Sequence, residues 1–230
     1  MAKQKEQLSK TEVRYFDGPQ LRKDPEGNYT RTVEGYALKF NTLSVLLYGW
    51  FKERIDPGSL ADIDLVASDI VALFNHDRNL ILARTISNTL QLSVDDIGLR
   101  YEFEAPNTTA GNDLLESLKR GDVQHSSFAF EVAPGGDAWT FDADGTEIRT
   151  IKKFQAINDV SPVVNPAYLD TEANVAKRSY EEWKKESRTD NDDDDKTDGG
   201  GSGDEPTKQQ QEIEAAACAR SRELDLLKLK

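Results

Sequence analysis

The sequence predicts a mainly β fold with two or three flanking helices, arranged as a sandwich or a barrel. Three observations lead there. About seven short runs show the two-residue period of strands. Turn signals separate these runs at close intervals, with too few helices between them to build a parallel α/β sheet. Helical spacing is confined to a few segments, and no internal repeat is present.

The elements follow in order. Residues 1–12 are charged and polar and read as a flexible N-terminus. Val13–Phe16 begins a strand, and Gly18-Pro19 and Pro25-Glu26-Gly27-Asn28 are turn signals. Thr30–Phe40 is rich in β-formers, with a bulge expected at Gly35. Ser44–Phe51 is a further apolar run, and Glu53–Leu60 reads as an extended piece, a turn and a helix start near Gly58-Ser59. Asp69–Asn75 is a short continuous apolar run ending at His76, which favours a buried strand. Leu80–Ala83 can supply the next one. Leu90, Leu92 and Val94 alternate, Asp95–Gly98 turns, and Leu99, Tyr101 and Phe103 alternate back, which predicts a hairpin.

Asn112–Arg120 predicts a helix capped by Asn112, with Leu114, Leu115 and Leu118 on one face and Gly121 as its stop. Asp122–Val132 returns to strand alternation. A second hairpin joins Ala138–Phe141 to Glu147–Ile151 around Asp142-Ala143-Asp144-Gly145. Lys153–Val160 is the last strand, ended by Pro162, and Pro166–Leu169 turns into a helix over Asp170–Glu186. In that helix Ala173, Ala176, Tyr180 and Trp183 repeat at three- and four-residue spacing, so one face should pack. The expected layout is a folded domain over 13–187, an acidic, Gly-rich disordered linker over 188–211, and a short amphipathic helix over 212–230. That last helix is too short to fold alone and reads as a docking peptide or a frayed tail.

Composition narrows the function classes. The 230 residues carry a net charge of −13, which repels phosphate backbones and argues against a nucleic-acid binder. No apolar run reaches the ~18–20 residues of a membrane span, so no membrane partner is expected. Cys218 is the single cysteine, so no intrachain disulfide can form, which fits cytosolic synthesis. With only His76 and His125 beside it, the usual Cys/His zinc site cannot be assembled.

One strand stands out. In Arg120–Val132 one face carries Val123, His125, Ser127 and Ala129, and the other Gln124, Ser126, Phe128 and Phe130. A serine among small residues on such a strand can serve as a nucleophile if a base reaches it. His125 shares the face of Ser127 but stands about 6–7 Å away at i−2, too far for a direct hydrogen bond. It can line the site. His76, at the end of its apolar run, is the better base, although a histidine there can equally be structural. Asp159 interrupts Ile157, Val160 and Val163 and can orient the imidazole, or else cap a turn before Pro162. The residues alone therefore allow a Ser-His-Asp triad without settling it.

Seven segments in order resemble the prohead maturation proteases of tailed bacteriophages, distant kin of the herpesvirus assemblins. They are EGYALKFNTLS at 34–44, FKERIDPGSL at 51–60, VALFNHD at 71–77, LILAR at 80–84, DDIGL at 95–99, RGDVQHSSFAF at 120–130 and INDVSPVVNPAY at 157–168. The resemblance covers residues 30–175. It implies an assemblin-like closed β-barrel and a serine endopeptidase that needs no metal or cofactor. It places the nucleophile on Ser127 rather than Ser126, the catalytic histidine on His76 and the third member on Asp159. Arg84 is nominated as oxyanion support, by analogy with an assemblin arginine. Three positions depart from the family pattern: Ala129 replaces a glycine, Ser126 a methionine, and Asp159 the commoner glutamate.

The resemblance further implies that the substrate is the scaffolding region of the major capsid protein, together with the chain's own tail. Cleavage would take place within the procapsid shell, and self-association is allowed. The chain would be made in the host cytoplasm, packaged inside the procapsid and lost from the mature virion. The acidic linker and terminal helix would recruit it there and then be removed. The alternative is a non-catalytic internal scaffold on the same fold.

Overall fold

The computed structural model describes residues 10–164 and 170–189. Twelve strands lie among them. The first six are β1 (Glu12–Asp17), β2 (Gln20–Lys23), β3 (Tyr29–Lys39), β4 (Phe51–Ile55), β5 (Val71–Phe74) and β6 (Asp77–Arg84). The others are β7 (Leu90–Val94), β8 (Gly98–Glu104), β9 (His125–Val132), β10 (Asp137–Phe141), β11 (Glu147–Ile151) and β12 (Phe154–Val163). Helices α1 (Thr109–Arg120) and α2 (Asp170–Thr189) flank them, and a 3₁₀ turn covers Pro57–Leu60. Residues 1–9 and 190–230, and with them nearly all of the expected linker and terminal helix, lie outside the described residues.

The expected closed barrel of about seven strands is not what forms. The strands make three open sheets, in the orders β1-β9-β12-β5-β6, β2-β3-β8-β7 and β10-β11-β4. The break between the first two sheets is written at Gly18-Pro19. A Cβ on Gly18 would stand 2.2 Å from the Gln124 carbonyl oxygen, and Pro19 has no N–H to extend a ladder. The chain therefore leaves β1 in one sheet and enters β2 in another. The two sheets meet at Gly35 of β3, where a Cβ would stand 3.1 Å from Tyr101 Oη and 3.2 Å from Ser126 Oγ. Tyr101 and Ser126 hydrogen-bond across the contact at 2.7 Å. Phe128 and Phe130 of β9 share one buried core with Val33, Leu99, Tyr101 and Phe103.

Both predicted hairpins form. β7 and β8 join through Asp95, whose Oδ1 accepts the N–H groups of Ile97 and Gly98. β10 and β11 join through a turn with Gly145 at φ +82°. Helix α1 begins a turn earlier than expected, because Thr108 rather than Asn112 caps it and accepts from Gly111 N–H. Gly121 ends it in the left-handed region, as its lack of a Cβ allows. The bulge in β3 falls between Tyr36 and Leu38 rather than at Gly35. Ser44–Phe51 is largely a loop with Val45 and Leu46 exposed.

β12 runs on through Pro162 instead of stopping before it. Its parallel ladder with β5 covers Asp159 and Val160 and has ended by residue 162. A strand residue's N and C=O leave on the same side, so the missing N–H faces a side where no ladder asks for it. The Pro162 carbonyl there accepts Asn75 N–H at 3.0 Å.

Two further features hold the β10-β11-β4 sheet in place. A small aromatic cluster of Trp50, Phe51 and Trp139 receives Ala176, Tyr180 and Trp183 of α2, as the helical spacing predicted. Trp50 and Trp139 stack with ring centres 5.5 Å apart. Beside it lies a buried ion cluster. Arg14 of β1 forks onto Glu53 of β4 at 2.7 and 3.0 Å. Arg149 of β11 reaches Glu12 of β1 at 2.6 Å, Glu53 at 3.1 Å and Asp137 of β10 at 2.6 Å. Burial works against the charge on Glu12, but Arg149 and Arg14 outweigh it and hold the carboxyl below the usual range. Burial likewise opposes the charge on Arg149, and Glu12 and Glu53 raise its pKa in spite of it.

Removing one partner of such a cluster leaves buried charge unpaired. Arg149→Met should lose about 3–5 kcal/mol in urea unfolding. Because the folded pKa of Glu12 is lowered, its contribution is full above the ordinary glutamate range and is lost as pH falls through the lowered value. The variant should show a smaller share of that acid dependence in the same measurement.

Candidate active site

The site is assembled from three strands and one turn. Ser127 sits in mid-β9, opposite Tyr15 of β1 on one side and Ser161 of β12 on the other. It shares its face with His125 and Ala129, while Ser126, Phe128 and Phe130 point into the core between the sheets.

Asp159 reaches that face through a bulge. Ile157 pairs with Phe130, but Asp159, two residues on, pairs with Ala129, only one residue back along β9. In a regular strand Asp159 would share the core-facing side of Ile157. The extra residue flips it to the side of Ser127. Val160 then opposes Phe128 in the core, and Ser161 opposes Ser127.

His76 comes from the turn between β5 and β6. Phe74 pairs with Asp77, which leaves Asn75 and His76 as a two-residue loop. Both have positive φ, +55° and +57°. That is the pattern of a type I′ hairpin turn, whose preferred sequence is Asn-Gly. His76 thus occupies the position that glycine would favour, at a cost of about 1 kcal/mol. Two contacts hold it there. Its Nδ1 lies 2.6 Å from Asp159 Oδ1, and its Nε2 lies 2.6 Å from Ser127 Oγ.

The bonding fixes the tautomer needed for chemistry. A carboxylate can only accept, so Nδ1 carries the hydrogen towards Asp159. In the neutral ring Nε2 then presents a lone pair to the Ser127 hydroxyl. A second acceptor stands nearby, the Arg14 carbonyl, 2.9 Å from Ser127 Oγ. The hydroxyl has one hydrogen for two acceptors. When it points at Arg14, Nε2 must itself donate, which requires the doubly protonated ring. The hydroxyl of Ser127 can therefore follow the charge of His76, and only the neutral ring leaves it poised for proton transfer.

Ser161 was not singled out in the sequence. It is buried, and its hydroxyl donates to the same Asp159 Oδ1 at 2.7 Å. It locks the carboxylate that locks the histidine. The alternation Asp159, Val160, Ser161 was its available signal. His125 is not the partner of Ser127. It stands edge-on to Tyr15 with ring centres 5.9 Å apart, and its buried Nδ1 has no hydrogen-bond partner among the described residues. It lines a cavity with Tyr15, Val45, Leu47 and Arg54.

The structure brings His76, Ser127 and Asp159 together and does not bring Arg84 to them. Arg84 lies opposite Val71 on β6, and its guanidinium forks onto Asp69 at the exposed foot of the same hairpin, at 2.6 and 2.5 Å. Asp69 is the first cause of its raised pKa. The guanidinium is spent on that pair. Among the described residues no group of three or more His, Cys, Asp or Glu is placed to hold a metal ion, and no helix is long and apolar enough to cross a membrane.

A family model described as "Caudovirus prohead serine protease" matches residues 20–186, most of the chain and all three residues of this site. The chain belongs to the caudovirus prohead serine protease family. Membership makes it a protease of phage capsid maturation. Among solved structures, that of the bacteriophage T4 capsid assembly protease, gp21, is similar at a TM-score of 0.43 and 12% identity, over 68% of this chain and 98% of that one. No curated protein sequence matches.

The backbone of His76 gives a direct test. His76→Gly and His76→Ala lose the same side-chain bonds, but only glycine relieves the positive φ. In urea unfolding the glycine variant should be the more stable of the two by about 1 kcal/mol. That order reverses the usual ranking of Ala and Gly in regular structure.

Proposed function

We propose that this family member is a serine endopeptidase in which Ser127 is the nucleophile, His76 the general base and acid, and Asp159 the group that orients His76. Its proposed substrates are the scaffolding region of the major capsid protein and its own chain, cut inside the procapsid. The observation that carries the reading is one connected line of atoms from Asp159 Oδ1 through both ring nitrogens of His76 to Ser127 Oγ, with both links at 2.6 Å.

The proposed steps balance without a cofactor. Ser127 Oγ bonds to the carbonyl carbon of the scissile peptide as its proton passes to His76 Nε2. The ring becomes cationic, and Asp159 stabilises that charge through Nδ1–H. Collapse of the intermediate breaks the C–N bond, and Nε2 gives its proton to the leaving amine. A water then loses a proton to Nε2 and attacks the acyl ester; the C–Oγ bond breaks, and Nε2 returns that proton to Ser127 Oγ. With Arg84 held by Asp69, the oxyanion falls to backbone N–H groups. Residues 188–230, acidic in sequence, are proposed to carry the protease from the host cytoplasm into the procapsid and to be removed there.

Co-expression with the capsid precursor tests the reading on a gel. Wild type should shorten the precursor, and Ser127→Ala and His76→Ala should leave it whole. Ser126→Ala should still cleave, although it strips the buried Tyr101 hydroxyl of a partner and costs about 1–3 kcal/mol of stability. A fluorophosphonate should label wild type and not Ser127→Ala. A precursor left whole by wild type as well as by both variants would defeat the proposal.

A further inference from the structure

The turn that presents His76 is fastened to the rest of the site by one residue. β5 and β12 are laddered only at Val71–Asp159 and Ala72–Val160. Beyond Ala72 the hairpin becomes irregular, with register shifts on both sides of Leu73. Its tip therefore projects past the last ladder pair. There Asn75 N–H donates to the Pro162 carbonyl at 3.0 Å, and Asn75 Oδ1 accepts Val164 N–H at 2.9 Å. Pro162 stands at the C-terminal end of the strand that carries Asp159, and Val164 directly follows it. Apart from the imidazole itself, these are the hydrogen bonds between the turn and that strand end among the described residues.

We infer that Asn75 is a positioning residue for the triad: it staples the turn bearing the base to the strand bearing the acid, and so sets the His76 ring at bonding distance from Asp159 and Ser127 together. The inference rests on the serine-protease reading and goes beyond it. Each ring nitrogen must meet its partner at 2.6 Å at once, so the ring tolerates little sliding, and a misplacement of about 1 Å can cost a hundredfold in rate. Asparagine suits the position twice over. It accepts the left-handed backbone, with φ +55°, and it carries the oxygen that takes Val164 N–H. Glycine keeps the first property and loses the second, while aspartate keeps both.

Those two replacements make the test. The readouts are urea unfolding, the saturation kinetics of fluorophosphonate labelling at Ser127, and the low-field proton resonance of the His76 Nδ1–H bonded to Asp159. The resonance is assigned by its loss in His76→Gln. The Val164 bond is exposed, so Asn75→Gly should unfold close to wild type. Its maximal labelling rate should fall between about ten- and a hundredfold, with the half-saturating concentration unchanged, and its Nδ1–H resonance should move or broaden. Asn75→Asp should recover most of the rate and the resonance. An Asn75→Gly protein with wild-type labelling and an unmoved resonance would overturn the inference and leave the triad standing. A wild type with neither labelling nor the resonance would remove both. If the resonance alone is present in wild type, its response to the two variants decides.

Discussion

A strand cannot bring a side chain of its own face within hydrogen-bonding distance of its own serine. The side chains that share a face with Ser127 on β9 are two residues away, about 6–7 Å along the strand, and His125 at that distance faces Tyr15 instead. The imidazole that bonds to Ser127 and the carboxylate that bonds to the imidazole must therefore arrive from elsewhere, and much of the local architecture follows from this. β12 lies beside β9 and carries the carboxylate, but only a bulge puts it on the right face. The β5–β6 hairpin lies beside β12, and its tip, past the last ladder pair, has to reach across β12 to β9. The histidine accepts a backbone conformation suited to glycine in order to stand there. Each of these is a departure from regular structure, and all three meet within two hydrogen bonds.

β1 contributes from the other side. Its Arg14 carbonyl faces Ser127, while the Arg14 side chain runs to the opposite face and into the ion cluster with Glu53, Glu12 and Arg149. The cluster continues through Asp137 to the Ser179 hydroxyl of α2, at 2.5 Å. A line of charged and polar groups thus joins the packing of α2 to the strand that lies against Ser127. Buried charges of this kind add little net stability against a well-packed apolar alternative. Here the pairs run from β1 to β4 and β11, and from β11 on to β10, so they tie the strand beside Ser127 to a second sheet.

Much of this was legible in the sequence. Alternation found the β7–β8 and β10–β11 hairpins and the face of β9, and the resemblance chose the three residues that the structure draws together. What stayed hidden depended on pairing between distant strands. A bulge exists only relative to a partner, so nothing around Ile157–Asp159 announced it. Pro162 read as a stop because a lone sequence does not reveal that the neighbouring ladder has already ended. The Asn75-His76 turn was obscured because histidine stands where glycine would have signalled it. Ser161 was passed over because a serine gains meaning here only from the carboxylate two residues away. The barrel failed for a related reason: period-two strands are equally compatible with open sheets, and the Gly18-Pro19 break that opens them looked like an ordinary turn.

The carbonyl that faces Ser127 belongs to a strand that ends before the family-matched span begins at residue 20. A fragment cut to that span would keep the serine, the histidine and the aspartate. It would also turn β9 into a raw sheet edge, with unpaired main-chain groups open to strand addition by other chains. Arg149 would lose Glu12, one of the two carboxylates at 2.6 Å from it, and Glu53 its forked arginine. Such a fragment would hold every motif of the family and still be prone to aggregate, so the boundary for producing this protease is drawn by charge pairing at β1 rather than by the reach of sequence similarity.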